Sequence, residues 1–253
     1  MPYPHRFWKV SRISAPPRVT DYLIYNEVGE GPYAKVYSVR HKTCGLDLAM
    51  KVVSKELLEG QSTQPGAVSR LFEVVEEARL LRVTQSPFAL GLKAAFHDDA
   101  NFYIVTKLCR TTLYDALKIS AGSLSEYTMK LYIAELTCGI SHLHQQGIIH
   151  RDIKLENTLI ANDGHIVIAD MGMAVQVETE SANSPALRRV FGTPGYVAYE
   201  VVACEPYTYS VDWFSLGVII HLLYTGEVRS SECCALEALT LWYPAPLVLR
   251  KVR

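Results

Sequence analysis

The chain has 253 residues, 49% of them hydrophobic, and sets 25 Lys and Arg against 26 Asp and Glu for a formal net charge of -1. That apolar content supports a sizeable core and excludes disorder, and a balanced charge without long single-sign runs excludes a global attraction to nucleic acid or an anionic membrane, so neither is expected as a partner. The N-terminus lacks a secretory apolar segment, the longest apolar stretch (214–224) is about half the roughly 20 residues of a membrane helix, and six scattered cysteines show no zinc spacing. The expectation is a protein of the cytoplasm or nucleus with free thiols.

Residues 1–20 are rich in Pro and basic residues without periodicity and read as an irregular tail. From Tyr22 to Val53 the residues alternate in strand fashion, interrupted by Gly29-Glu30-Gly31-Pro32 and by a turn-forming cluster from His41 to Gly45, which predicts three antiparallel strands. A polar loop over 59–67 then leads to a helix capped by Ser69, in which Leu71, Val74, Val75, Ala78 and Leu81 recur at helical spacing. Residues 94–96 and 102–108 predict two more strands around a polar turn. Residues 21–106 therefore form a small lobe, a five-stranded sheet with one helix.

Beyond Cys109 helical periodicity takes over. Ser125 and Glu126 open a long helix carrying Met129, Tyr132, Ile133, Leu136, Ile140 and Leu143 on its apolar face, with Gly147 as its cap. Residues 158–160 and 165–168 flank Asn162-Asp163-Gly164, a hairpin signal. The fold class is α+β with two lobes: 107–226 form the helical one, a connector near 107–112 borders a cleft, and 227–253 stand apart as a divergent tail.

Three segments carry chemistry. The Gly-x-Gly turn of Val28, Gly29, Glu30, Gly31, Pro32, Tyr33, Ala34, Lys35 and Val36 lets a backbone approach phosphates, although such turns also mark plain hairpins. Lys51 ends an apolar strand and needs an anionic partner if buried, for which Glu73, Glu76 and Glu77 are candidates. The third is His150-Arg151-Asp152-Ile153-Lys154-Leu155-Glu156-Asn157, followed by Asp170-Met171-Gly172.

With these residues the chain resembles the protein kinases, Ser/Thr type, with a bilobal fold. Arg79-Leu80-Leu81, Ser86-Pro87-Phe88 and Phe191-Gly192-Thr193-Pro194 bring it closest to the AGC group of cyclic-nucleotide-dependent and ribosomal-protein kinases. The resemblance implies ATP and Mg²⁺ as cofactors and a protein Ser/Thr hydroxyl as acceptor. By it, Asp152 is the base with Lys154 beside it, Asn157 and Asp170 hold Mg²⁺, and Lys51, paired with Glu77, contacts the α- and β-phosphates. Val28 is among the ATP-binding residues, Gly29 to Val36 cover the phosphates, Ala49, Val36 and Leu159 sandwich adenine, Thr106 is the gatekeeper, and Lys107 to Cys109 form the hinge. Glu156 matches an acid that reads basic residues before the acceptor.

The pattern also breaks. Ala34, Met171 and Tyr199 replace a Gly, a Phe and a Pro of the family, and none of these removes a charged group. Arg189 occupies the family's activating phosphothreonine position, where a phosphate would pair with Arg151, so activation by that route is not expected; Thr179, Ser181 and Ser184 are the candidate sites instead. Residues 227–253 do not resemble the helices expected after Gly226, which implies a shortened C-lobe and leaves Glu200, if buried, without its ion partner. The alternative to an enzyme is accordingly a catalytically weak, nucleotide-binding scaffold.

Overall fold

Strand alternation accounts for the first lobe. The computed structural model describes residues 16–31, 33–59, 70–177 and 191–226. After one 3-10 turn at Val19–Asp21, strands β1 (Tyr22–Glu30), β2 (Ala34–His41), β3 (Asp47–Ser54), β4 (Ala94–His97) and β5 (Asn101–Lys107) form an antiparallel sheet in the order β1-β2-β3-β5-β4. Along β3 the period of two sends Leu48 and Met50 into a core with Tyr22, Val39, Tyr103 and Val105, while Ala49 and Lys51 face the opposite way, toward the cleft. Helix α2 (Arg70–Val83) buries Val74, Leu80 and Leu81. Val75, expected on its apolar face, is 52% exposed, because the stripe that meets the sheet is narrower than the spacing suggested. A short helix α1 (Lys55–Glu59) precedes it where no helix was foreseen.

The second lobe gathers around α4 (Glu126–Gln145). Ser125 caps it, its hydroxyl accepting the Thr128 N–H at 3.1 Å. Gln146 rather than Gly147 is the C-cap, and Gly147 follows at φ +73°, the left-handed turn that ends the helix. Leu136, Ile140 and Leu143 are fully buried against Leu113 and Leu117 of α3 (Leu113–Ile119) and Ile219 of α6 (Ser210–Thr225). The predicted hairpin is present as β8 (Thr158–Ile160) and β9 (Ile166–Ile168), joined by β6 (Thr111–Thr112) into a three-stranded sheet. A two-residue ladder pairs β7 (Ile148–Ile149) with β10 (Val175–Gln176), and a short helix α5 (Tyr199–Val202) precedes α6.

Two close approaches use glycine. In the middle of α4, a Cβ on Gly139 would lie 2.8 Å from both the Phe88 carbonyl oxygen and Ile168 Cδ1. The gap admits the 88–90 segment, which hydrogen-bonds β9 on both sides through Ile168 N–H to Phe88 O (2.9 Å) and Leu90 N–H to Ile168 O (2.7 Å). These bonds tie the lobes together behind the cleft. At the far end of the molecule, Gly122 (φ +80°), in the loop before α4, abuts Gly226 (φ +68°), the C-cap of α6. A Cβ on either would lie 2.7–2.8 Å from the other's carbonyl oxygen. No described helix is long and apolar enough to cross a membrane.

Candidate active site

The cleft encloses about 710 Å³. Its roof is Val28, Gly29, Glu30, Gly31, Tyr33, Ala34 and Val36, and its back wall is Ala49, Lys51 and Glu77. Thr106, Lys107 and Cys109 border the connector side, with Leu159, Asn157 and Asp170 forming the floor. Thr106 is paired with Ala49 across β5 and β3, and both line the cleft with Leu159. The Lys107 ammonium lies 3.3 Å from Asp163 of the β8–β9 turn, and burial pushes the Cys109 thiol up.

One residue expected over the phosphates is placed differently. Lys35 does not line the cleft: strand alternation turns it away from Ala34 and Val36, and its Nζ pairs with Glu27 at 3.0 Å and Glu30 at 3.4 Å. Pro32 lies outside the described residues. The turn itself closes with the Gly31 N–H donating to the Ala34 carbonyl at 2.7 Å.

The Lys51 Nζ donates to both oxygens of Glu77, at 2.7 and 2.8 Å, and lies 3.8 Å from Asp170 Oδ1. Burial pulls the Lys51 pKa down, but the Glu77 and Asp170 carboxylates outweigh it and hold the ammonium above its ordinary value. For Glu77 burial wins, and its carboxyl is raised despite Lys51. Burial also pushes Asp170 up, yet Lys51, the Gly172 N–H, His150 and Lys154 together leave it lowered. Asp170 adopts φ +63°, which aims its half-exposed carboxylate into the cleft and lets Oδ1 accept the Gly172 N–H at 3.2 Å. Met171 behind it is fully buried, filling the apolar slot of the family's Phe.

Below the cleft Asp152 is 5% exposed and completely engaged. Its Oδ1 accepts the Thr193 hydroxyl at 2.7 Å, and its Oδ2 accepts Asn157 Nδ2 at 2.9 Å and lies 2.8 Å from Lys154 Nζ. Lys154 also donates to Thr193 at 2.7 Å, closing a ring. Thr193 was seen in sequence only as part of the Gly-Thr-Pro match, since nothing local shows which distant hydroxyl meets Asp152. Fully buried Asp212 accepts the backbone N–H groups of His150 (2.9 Å) and Arg151 (2.8 Å) and contacts His144 Nε2 at 2.8 Å. The His150 ring accepts the Asp152 N–H and donates to the Ala169 carbonyl (3.0 Å), so one imidazole joins the loop to the Asp170 turn.

Arg151 makes contacts that need no phosphate. Its Nε donates to the Met173 carbonyl at 2.6 Å, Nη1 reaches the Tyr207 hydroxyl at 3.4 Å, and the guanidinium stacks 4.0 Å over the Phe191 ring. Arg188, Arg189 and the candidate sites Thr179, Ser181 and Ser184 lie outside the described residues, as do 227–253. Glu200 is half-buried rather than buried, so the condition for an orphaned buried charge is not met, and it accepts the Ser210 hydroxyl at 3.3 Å.

The donor set fits a hard divalent cation carried by phosphates. Asn157 spends its amino group on Asp152 (Oδ2 and main-chain O, both 2.9 Å), which leaves its carbonyl oxygen available beside ionised Asp170. No group of three or more His, Cys, Asp or Glu among the described residues is arranged to hold an ion alone. Unforeseen lining comes from Arg110 and Thr112 of the connector and from Asp115 in the first turn of α3.

A family model described as the protein kinase domain matches residues 22–250, a span that takes in most of the tail set apart above. The chain is similar to RAC-beta serine/threonine-protein kinase B of Xenopus laevis, at 32% identity over 214 residues, 84% of this chain and 42% of that protein. It is likewise similar to G protein-coupled receptor kinase 1 of Caenorhabditis briggsae, at 31% over 89% of this chain and 34% of the relative. The catalytic subunit 3 of cAMP-dependent protein kinase from Drosophila melanogaster is 30% identical over 81% of this chain and 33% of its own length. The chain thus spans less than half the length of the curated relatives it matches.

Proposed function

The chain belongs to the protein kinase family, in its AGC type, and from that premise we propose that it transfers the γ-phosphoryl of ATP to a Ser or Thr hydroxyl of a protein. The observation that carries this reading is the two-oxygen Lys51–Glu77 pair, 3.8 Å from Asp170 in the cleft beneath which Asp152 is held. Adenine fits between Ala49 and Val36 above and Leu159 below, beside Thr106 and the Lys107–Cys109 edge. The charged Lys51 ammonium, kept in place by Glu77, meets the α- and β-phosphates.

Asn157 and Asp170 are the residues that would hold Mg²⁺, which would supply neutralisation of phosphate charge. Asp152 orients the acceptor hydroxyl and takes its proton, while Thr193, Lys154 and Asn157 hold the carboxylate in one rotamer. Lys154, in salt-bridge contact with that carboxylate, balances charge on the transferring group. Glu156 supports a preference for basic residues near the acceptor: its Oε2 is buried without a hydrogen-bond partner among the described residues, on the cleft wall that also carries Asp115. A substrate cation would satisfy that oxygen.

Thermal unfolding of the protein with and without Mg²⁺-ATP, followed by transfer assays on Ser/Thr peptides with and without basic residues, tests this reading. The expected result is a Mg²⁺-dependent rise in midpoint that Lys51→Met abolishes. Asp152→Asn should retain that rise while lowering transfer about 10²- to 10⁴-fold. A nucleotide-dependent rise with no transfer by the wild type would replace the enzyme with the nucleotide-binding scaffold.

A further inference from the structure

Arg79 lies outside the cleft, on α2, two residues after Glu77 and so about 200° around the helix from it. Its Nε donates to Glu76 Oε2 at 2.9 Å, which fixes the guanidinium plane on the helix surface. From that plane Nη1 donates to Gln176 Oε1 at 2.8 Å. Gln176 belongs to β10, pairs in register with Ile148 of β7, and donates from Nε2 to the carbonyl of Gln146, the α4 C-cap, at 2.9 Å. A carboxamide has one donor end and one acceptor end. Because the donor end faces a carbonyl, the acceptor end is the one turned to Arg79, and the amide has a single orientation that serves both neighbours.

We propose that Arg79 is a positioning residue: through Gln176 it couples the rotational setting of α2, and with it the Glu77–Lys51 pair, to the β10 strand that follows the Asp170-Met171-Gly172 turn. Glu77 and Arg79 grip surroundings on nearly opposite sides of one helix. A turn of α2 about its axis that lengthened one contact would strain the other, so the two together define one setting. Gln176, the partner of Arg79 beyond α2, sits in the second lobe, paired to β7 and hydrogen-bonded to the α4 C-cap, so that setting is referred to the frame that holds Asp152. By reciprocity, whatever displaces β10 also loosens Glu77 from Lys51. The consequence for catalysis rests on the kinase reading; the coupling itself does not.

The test uses Arg79→Ala, Gln176→Ala and the double variant of the full chain, reading amide hydrogen exchange across 70–83 together with kcat and the peptide KM. Each single change should raise exchange in α2 roughly three- to tenfold, leave exchange in α4 and the unfolding midpoint as in wild type, and lower kcat by a similar factor at unchanged peptide KM. The double variant should be no worse than either single one, since both break the same relay. Additive effects, or wild-type exchange in α2 of either single variant, would overturn the proposal. If the wild type phosphorylates no peptide, the exchange data still decide the coupling, and only the kinase reading falls.

Discussion

The roof and the floor of the cleft are built on opposite terms. In the strand that carries the roof, Leu23, Ile24, Tyr25 and Val28 of β1 are 45–53% exposed, and among the described residues the strand pairs with β2 alone, through a register that shifts twice. In the floor, His150, Asp152, Asn157 and Asp212 are each 8% exposed or less and engage several partners apiece. Of the four β1 residues, Val28 lines the cleft and leaves apolar surface there for a ligand to cover, so binding one would stabilise the strand. Beneath the Asn157 carbonyl oxygen and Asp170, which stay open to the cleft, the floor's polar groups are satisfied beforehand, so their geometry exists before a ligand arrives. On the proposed kinase reading, binding would draw on a loosely held layer and catalysis on a tightly braced one.

The sharpest way to break this contrast is Asp212→Ala. The change leaves the buried N–H groups of His150 and Arg151 without their acceptor, and should cost about 3–5 kcal/mol in denaturant unfolding. A cost under about 1 kcal/mol would show that the floor is not braced through Asp212. In the roof, Val28→Ala should change stability by no more than about 0.5 kcal/mol yet weaken nucleotide binding several-fold by calorimetry, having removed surface that only the ligand covers. A larger loss of stability than of affinity would reverse the assignment.

The smallest effect is expected at the solvent edge of the floor. Glu135 on α4 accepts the Ile166 N–H at 2.8 Å and lies 2.5 Å from His165 Nδ1, and that contact raises the His165 pKa. A histidine raised on folding contributes stability that is fully present below its unfolded pKa of about 6.5 and lost as pH rises through the folded value. Urea midpoints compared between about pH 5 and about pH 8.5 should show this loss in the wild type and not in His165→Gln. The step should be slight, because the His165 side chain is 55% exposed.

How much of this was legible in the sequence follows the range of the forces involved. All five strands of the first lobe, α4 and the β8–β9 hairpin follow from local alternation, helical spacing and turn residues. So does the outward turn of Lys35, once Ala34 and Val36 are taken as facing in, a signal the motif match obscured. The two-residue strands β6, β7 and β10 were not legible, because each exists only where a distant partner supplies its hydrogen bonds. Helix α3 is too short to show a period. In the site, Lys51, Glu77, Asn157 and Asp170 do converge on one cleft, whereas Thr193 beside Asp152 and Gln176 beside Arg79 are products of tertiary contact across long stretches of chain. Gly139 gave a signal with no local meaning, a glycine inside a helix, and its reason is the Phe88 backbone crossing there.

The facing pair Gly122 and Gly226 carries a lesson for reading mutational scans. Each position, tested singly, would score as intolerant, and an observer would record two independent requirements far apart in the chain. They are one requirement counted twice, a single backbone-to-backbone seam with no room for a methyl group on either side. Nor could a change at one site compensate a change at the other, since both partners are already at the smallest residue, so a covariation search would leave the seam invisible while structure finds it at once.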